Sequence, residues 1–228
     1  VSHGMCKVSA TAFSSHGLVC CGFLGDYAEG YRVGKIAAAI TERLGAQELV
    51  ARINVVLYGC INVWTEPLQS TLPPLMAGHD AGVSSGDPEY ALAAFQISTM
   101  SAFQCGQPLN EIVKKMAELD KERKQYSFRM EMITATFFWW QCILNLIGGL
   151  GQEDPTVLEG EIIQVDSILH MQIERKMKGS ACQYYLARLL LAYTFGKYEL
   201  AAEMHGKCME AELDKNLKSR FTVAVFAL

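Results

Sequence analysis

The sequence predicts an all-α protein, a tetratricopeptide-like α-solenoid of about five antiparallel helix hairpins. Three observations predict it. Turn-forming residues interrupt the chain at nearly regular intervals, the stretches between them carry apolar residues at helical spacing, and no alternating Val/Ile/Thr run marks a strand between the breaks. With positions 25, 65, 106, 151 and 196 as hairpin tips, the intervals are 40, 41, 45 and 45 residues. A single helix hairpin cannot bury its own apolar face, so a two-helix repeat of this length stacks on its neighbours. A four-stranded blade has a similar period, and the missing strand signals exclude it.

The elements follow in order. Apolar residues recur at helical spacing from Met5 to Leu24, Gly25-Asp26 breaks the pattern, and a second helical stretch runs from Tyr27 to Leu44 and stops at Gly45. Glycine supplies the left-handed cap that L-residues resist, and the Asp26 carboxylate can accept the free amides of the following helix. Trp64-Thr65-Glu66-Pro67-Leu68 marks the next tip, with Pro67 suited to a first helical turn. Cys105-Gly106-Gln107-Pro108-Leu109, the break from Gly148 to Pro155, and Phe195-Gly196-Lys197-Tyr198 repeat the punctuation. A second set of breaks falls at Gly45, Ser85-Gly86-Asp87-Pro88, Lys121 to Gln125, Gly179 and about Asp214. The predicted hairpins are residues 5–44, 46–85, 88–124, 126–178 and 179–214, with the start of another at 216–228, in one array over 1–228. Pro73-Pro74 inside the fourth helix is expected to kink it. The segment 192–204, small residue, aromatic, then Gly-x-Tyr-x-x-Ala, comes nearest the tetratricopeptide pattern.

Composition narrows the function classes. Half of the 228 residues are hydrophobic and 19% are charged, and 20 basic against 24 acidic residues give a net charge of −4 without a strong block of either sign. Phosphate backbones have little to attract them, so nucleic acid is not an expected partner. The longest apolar run, residues 134–151, contains Gln141 and Asn145 and closes on glycines, which fits a buried helix better than the roughly 20 apolar residues of a spanning one. The chain begins at Val1 without a charged-then-apolar leader and ends inside an apolar run, which reads as a segment of a longer polypeptide. The eight cysteines include no Cys-x-x-Cys pair and sit mostly among apolar residues, as in a reducing, intracellular, cytoplasmic setting.

No catalytic, cofactor-binding or metal-binding residue emerges from the motifs. Gly30 to Lys35 mimics a phosphate loop, but Gly34-Lys35 is followed by Ile36, the required first glycine falls on Glu29, and the run lies in a predicted helix rather than after a strand. Gly30 and Gly34 are expected to let a neighbouring helix approach closely. Cys20-Cys21 point about 100° apart on a helix, and neither a histidine nor a second cysteine pair is expected beside them, so burial is the simpler role. His3, His16, His79, His170 and His205 share no metal-ligand spacing. Ser84-Ser85-Gly86-Asp87 reads as a helix stop and restart, and Glu159, Glu161, Glu210 and Glu212 as solvated carboxylates. Trp64, Trp139 and Trp140 are expected to pack between layers, and the mixed-sign run 114–125 to form a solvated helix face.

The stretch from Gly22 to Ile53, with residues 64–75 and 81–94, resembles the helical-repeat segment of very large microbial signalling proteins that join a Ser/Thr-kinase-like domain and an AAA-type ATPase to such a segment, then to a GAF sensor and a histidine kinase. The matching positions are Gly25-Asp26, Gly30-Tyr31-Arg32, Gly34-Lys35, Leu44-Gly45-Ala46, Trp64, Glu66-Pro67-Leu68, Leu72, Gly82, Gly86-Asp87 and Glu89-Tyr90-Ala91, thinning to Asn145-Leu146-Ile147-Gly148 and Phe195-Gly196-Lys197-Tyr198. None of that family's catalytic motifs falls in this chain. The resemblance implies a non-catalytic docking or relay segment whose partner is protein, either the flanking domains of one chain or a separate subunit. An accessory subunit of a larger assembly beside a membrane, suggested by the cluster Phe137-Phe138-Trp139-Trp140, and an enzyme with a helical pocket are the alternatives.

Overall fold

The tip at residue 25 shows why the first two helices fold back on each other. α1 (Ser9–Val19) runs into a wide π turn (Cys20–Leu24), Gly25 takes the left-handed conformation at φ 69°, and the Asp26 carboxylate accepts the amide of Glu29 at 3.0 Å to open α2 (Tyr27–Arg43). The two helices pack against each other as a hairpin, as the break at Gly25-Asp26 predicts. The computed structural model describes residues 4–125, 130–148, 154–160, 162 and 178–211, which are all helix and connecting turn without a strand.

The second hairpin is less regular than its sequence suggests. α3 (Val50–Val56) continues into a second π turn (Leu57–Ile61) and a 3-10 turn (Asn62–Trp64); another 3-10 turn (Leu68–Thr71) leads into α4 (Leu72–Ser85), which packs on α3. Pro73 and Pro74 fall in the first turn of α4, where a helix has no intrahelical use for their missing amide hydrogens. They start the helix instead of kinking it, and Asn54 Nδ2 donates 2.8 Å to the Pro74 carbonyl from α3. Gly86 ends α4 and Asp87 caps α5 (Pro88–Gln104), which packs back on α4. α6 (Leu109–Gln125) runs to the end of the polar stretch Lys121 to Gln125, where the break is expected.

Small residues set the closeness of these pairs. A Cβ on Gly30 would collide with Cys21 Sγ and come within 2.9 Å of the Gly17 carbonyl oxygen; one on Gly82 would sit 2.8 Å from the Ala91 Cβ. A Cβ on Gly34 would meet Leu57 Cδ1 at 2.7 Å. The close-approach role expected of Gly30 and Gly34 is therefore what they perform. Behind them Ala10, Ala37, Ile40 and Ile53 form one buried cluster, and Cys21, Leu57 and Ile61 another.

The chain divides into two compact units. The first holds residues 4–108 and 117–125, and the second 109–116 with the described residues from 130 to 211. In the second unit α7 (Met130–Ile147) packs on α8 (Lys178–Thr194), which forms a hairpin with α9 (Tyr198–Ala211) across Gly196. Phe138 and Trp139 of α7 are buried and their neighbours Phe137 and Trp140 nearly so; Trp139 Nε1 donates to Gln183 Oε1 at 2.9 Å. Gln141 and Asn145 explain their place in an apolar helix. Gln141 donates to Asn145 Oδ1 at 2.8 Å and accepts the Ile162 amide, while Asn145 Nδ2 donates to the carbonyls of Pro155 and Val157 at 3.0 and 2.7 Å. Two buried amides thus hold residues 154–160 and 162, whose described backbone is not helical. Asp154 adds a contact to Lys197 at 2.7 Å, and this ammonium, with the Thr156 hydroxyl and amide, draws the Asp154 carboxyl down to about 2. The predicted tip at 151 and the hairpin starting at 216 lie outside the described residues.

Gly30→Ala is expected to cost about 1–3 kcal/mol, because its Cβ must displace Cys21 or the Gly17 backbone. Gly206→Ala, inside α9 with nothing within 4 Å of the new Cβ, is expected to stabilise by about 0.5–1 kcal/mol. Urea denaturation followed by circular dichroism measures both, and opposite signs are the expected outcome.

Candidate functional site

Lys35 is the residue a phosphate loop would aim at its ligand, so its surroundings decide what residues 30–35 do. It sits in the middle of α2, not after a strand, and its Nζ lies 3.3 Å from Glu66 Oε1. The same nitrogen stands 5.0 Å from the centre of the Tyr31 ring and 5.5 Å from that of Tyr58, within the range of a cation–π contact. The Lys35 charge is turned inward on its own fold.

Glu66 is the hub. Its Oε1 accepts the Tyr31 hydroxyl as well as Lys35; its Oε2 accepts Asn62 Nδ2 at 2.7 Å and Ser70 Oγ at 3.1 Å. Tyr31 and Lys35 come from α2, Asn62 from the 3-10 turn that ends the α3 run, and Ser70 from the turn leading into α4. One carboxylate therefore ties the first hairpin to the irregular corner of the second. Beside it Tyr27 stacks on Trp64, with ring centres 4.7 Å apart and planes 16° from parallel. Trp64 packs, as its spacing suggests, and Asn62 is fully buried.

The electrostatics follow from these partners. The Tyr31 hydrogen bond, then the contacts of Lys35 and Ser70, hold the Glu66 carboxyl below the ordinary glutamate value against the opposing effect of burial. The same hydrogen bond to Glu66 holds the Tyr31 hydroxyl above the usual tyrosine value. Burial works against the Lys35 ammonium, and Glu66 and Tyr31 outweigh it, so its pKa lies above that of an ordinary lysine. A carboxylate held ionised and a lysine held protonated make a charge-assisted clamp.

The remaining candidates disperse. Cys20 and Cys21 are buried together, as their spacing suggests, and burial with the neighbouring Cys20 pushes the Cys21 thiol up to about 11. His16 Nε2 lies 3.8 Å from Cys20 Sγ. His79 Nε2 lies 2.9 Å from Glu122 Oε2, with its ring tilted against Phe95. His205 is exposed, and His3 and His170 lie outside the described residues. Ser84 and Ser85 donate to carbonyls of their own helix, at Asp80 and Gly82. Glu159 and Glu210 are exposed, while Glu161 and Glu212 lie outside the described residues. Among the described residues no group of three His, Cys, Asp or Glu side chains is placed to hold a metal ion. None of their helices is long and apolar enough to cross a membrane.

What lies open is apolar. Val8, Val19, Phe23 and Leu24, on the outer side of α1 and its π turn, are 69, 43, 56 and 70% exposed. Ala12 is exposed as well, and exposed Ser15 and His16 lie between it and Val19 on the same helix. In the second unit Tyr193, Phe195 and Tyr198 are exposed around the Gly196 tip.

Glu66→Gln keeps the shape and removes the charge; with part of the cluster open to solvent screening, its expected cost is about 1–2 kcal/mol. Because Glu66 lies below its ordinary value of 4.5 in the folded chain, its contribution is full above that pH and is lost as pH falls through the folded pKa. Urea titrations across pH 3 to 7 are expected to show the wild type losing stability towards the acid end more steeply than Glu66→Gln. No family model, curated protein or solved structure matches the chain.

Proposed function

We propose that the chain is a non-catalytic scaffold for protein–protein interaction, a tetratricopeptide-like array of helix hairpins that relays between domains of a signal-transduction polypeptide or docks a separate protein partner. The observation that carries this reading is the exposure of Val8, Val19, Phe23 and Leu24 at the two ends of α1 and in its π turn. An aromatic and three aliphatic side chains left in water along one arm of a hairpin favour a surface that is covered in the working state. The α1–α2, α3–α4 and α8–α9 pairs support it, since hairpins of this kind present extended surfaces when they stack. The inward use of Lys35 and Glu66 supports it from the other side, because the best phosphate-loop mimic in the sequence is occupied by its own fold. The aromatic cluster Phe137 to Trp140, which suits a membrane-side subunit on sequence grounds, is packed inside its unit and lends that alternative nothing.

A photoreactive benzoylphenylalanine at position 23 of the full polypeptide, irradiated in its native host, is expected to cross-link to a defined protein segment, of the same chain or of a partner. Val19→Glu with Leu24→Glu is expected to lower the yield at least tenfold, the equivalent of about 1.4 kcal/mol, without changing helical circular dichroism. Cross-links that are absent, or undiminished in the double variant, would defeat the scaffold reading.

A further inference from the structure

Across the α8–α9 hairpin two cysteines face each other. Cys182 lies 14 residues before Gly196 and Cys208 lies 12 after it, so at about 1.5 Å per residue they stand at nearly the same height above the tip. Their sulfurs are 2.7 Å apart, closer than two unbonded sulfurs pack and short of the roughly 2.05 Å of a disulfide. Both are buried, at 4 and 0% exposure, and Cys208 Sγ also points at the Cys182 carbonyl at 3.8 Å. Of the other buried cysteines, Cys142 Sγ lies 3.7 Å from the Ala187 carbonyl and Cys20 Sγ 3.8 Å from His16, while Cys21 has Cys20 and Cys60 near enough to raise its pKa.

We propose that Cys182 and Cys208 are a redox modification site, a pair that a thiol-disulfide oxidant of the glutathione class converts to an interhelical disulfide. Opening of the hairpin admits the oxidant to the buried sulfurs. The thiolate of one cysteine attacks a sulfur of oxidised glutathione, the glutathione S–S bond breaks, and one glutathione thiolate leaves. The second cysteine thiolate then attacks the protein sulfur of the mixed disulfide, forms the Cys182–Cys208 bond and expels the second glutathione thiolate. The two departing thiolates take up the two protons that the cysteines lose, so one oxidised glutathione becomes two thiols for each bond formed. The bond locks α9 to α8 and closes a loop that the unfolded chain would otherwise leave open. This site stands independently of the scaffold reading.

The test is a redox titration of the purified full chain in glutathione buffers, with free thiols trapped by iodoacetamide and disulfide-linked peptides mapped by mass spectrometry. The same titration is run in 8 M urea, and on Cys208→Ala under native conditions. The expected result is a Cys182–Cys208 peptide whose equilibrium constant is at least tenfold larger in the native chain than in urea. The oxidised chain is expected to melt about 5 °C or more above the reduced one. In Cys208→Ala, Cys182 is expected to form no protein disulfide and to be recovered as a thiol or as its glutathione mixed disulfide. A native constant equal to or below the urea value, or Cys182 joined to a different cysteine in the native chain, overturns the proposal.

Discussion

The first hairpin depends on backbone meeting backbone. Gly17 and Gly30 bring α1 and α2 so close that a methyl group on either would touch the other's carbonyl oxygen at 2.9 Å. That approach puts Cys21 against Gly30 and brings Leu57 and Ile61 over Gly34, which places the second hairpin on the first. Tyr31 and Lys35 occupy neighbouring positions on the same helix, and the corner holding Glu66 follows directly after Ile61. The charge clamp therefore exists because the small residues let the corner come within reach. Gly82 against Ala91 repeats the device between α4 and α5.

Side-chain amides do a second job throughout. Asn54 reaches the first turn of α4, Asn62 reaches Glu66, and Gln141 with Asn145 reaches residues 154–160 and 162. In each case a helix lends hydrogen-bonding capacity to a neighbouring piece of chain whose own polar groups would otherwise be costly to bury. Amides serve this purpose without a charge to desolvate, and Gln141 and Asn145 each bond through donor and acceptor at once. The polarity of an apolar helix is thus spent on joining it to irregular chain.

Much of the fold was legible in the sequence. The left-handed glycines at 25, 45, 86, 106, 148 and 196 stand at predicted breaks, because a helix end needs a conformation that glycine alone adopts freely. Asp26 and Asp87 cap as their positions suggest. The two π turns were not legible, since an extra residue in a turn leaves the apolar spacing nearly intact and carries no residue type of its own. Pro73-Pro74 pointed to a kink because the preceding 3-10 turn, which moves the helix start to Leu72, has no sequence mark. The Glu66 cluster was hidden for a different reason: Asn62, Glu66 and Ser70 lie 27, 31 and 35 positions from Lys35 along the chain, and only tertiary folding brings them together. The cysteine pair was hidden likewise, because spacing across a hairpin becomes meaningful only when the tip and the facing sides of both helices are known.

The widened turn at Cys20–Leu24 sorts side chains as well as reversing the chain. Within five residues it sends two thiols into the interior and leaves a phenylalanine and a leucine in water. An ordinary helical turn advances about 100° per residue, and the added residue of a π turn shifts that phase for everything after it. Which side chains of this turn are hidden and which are offered therefore depends on a backbone irregularity as much as on the residues that compose it.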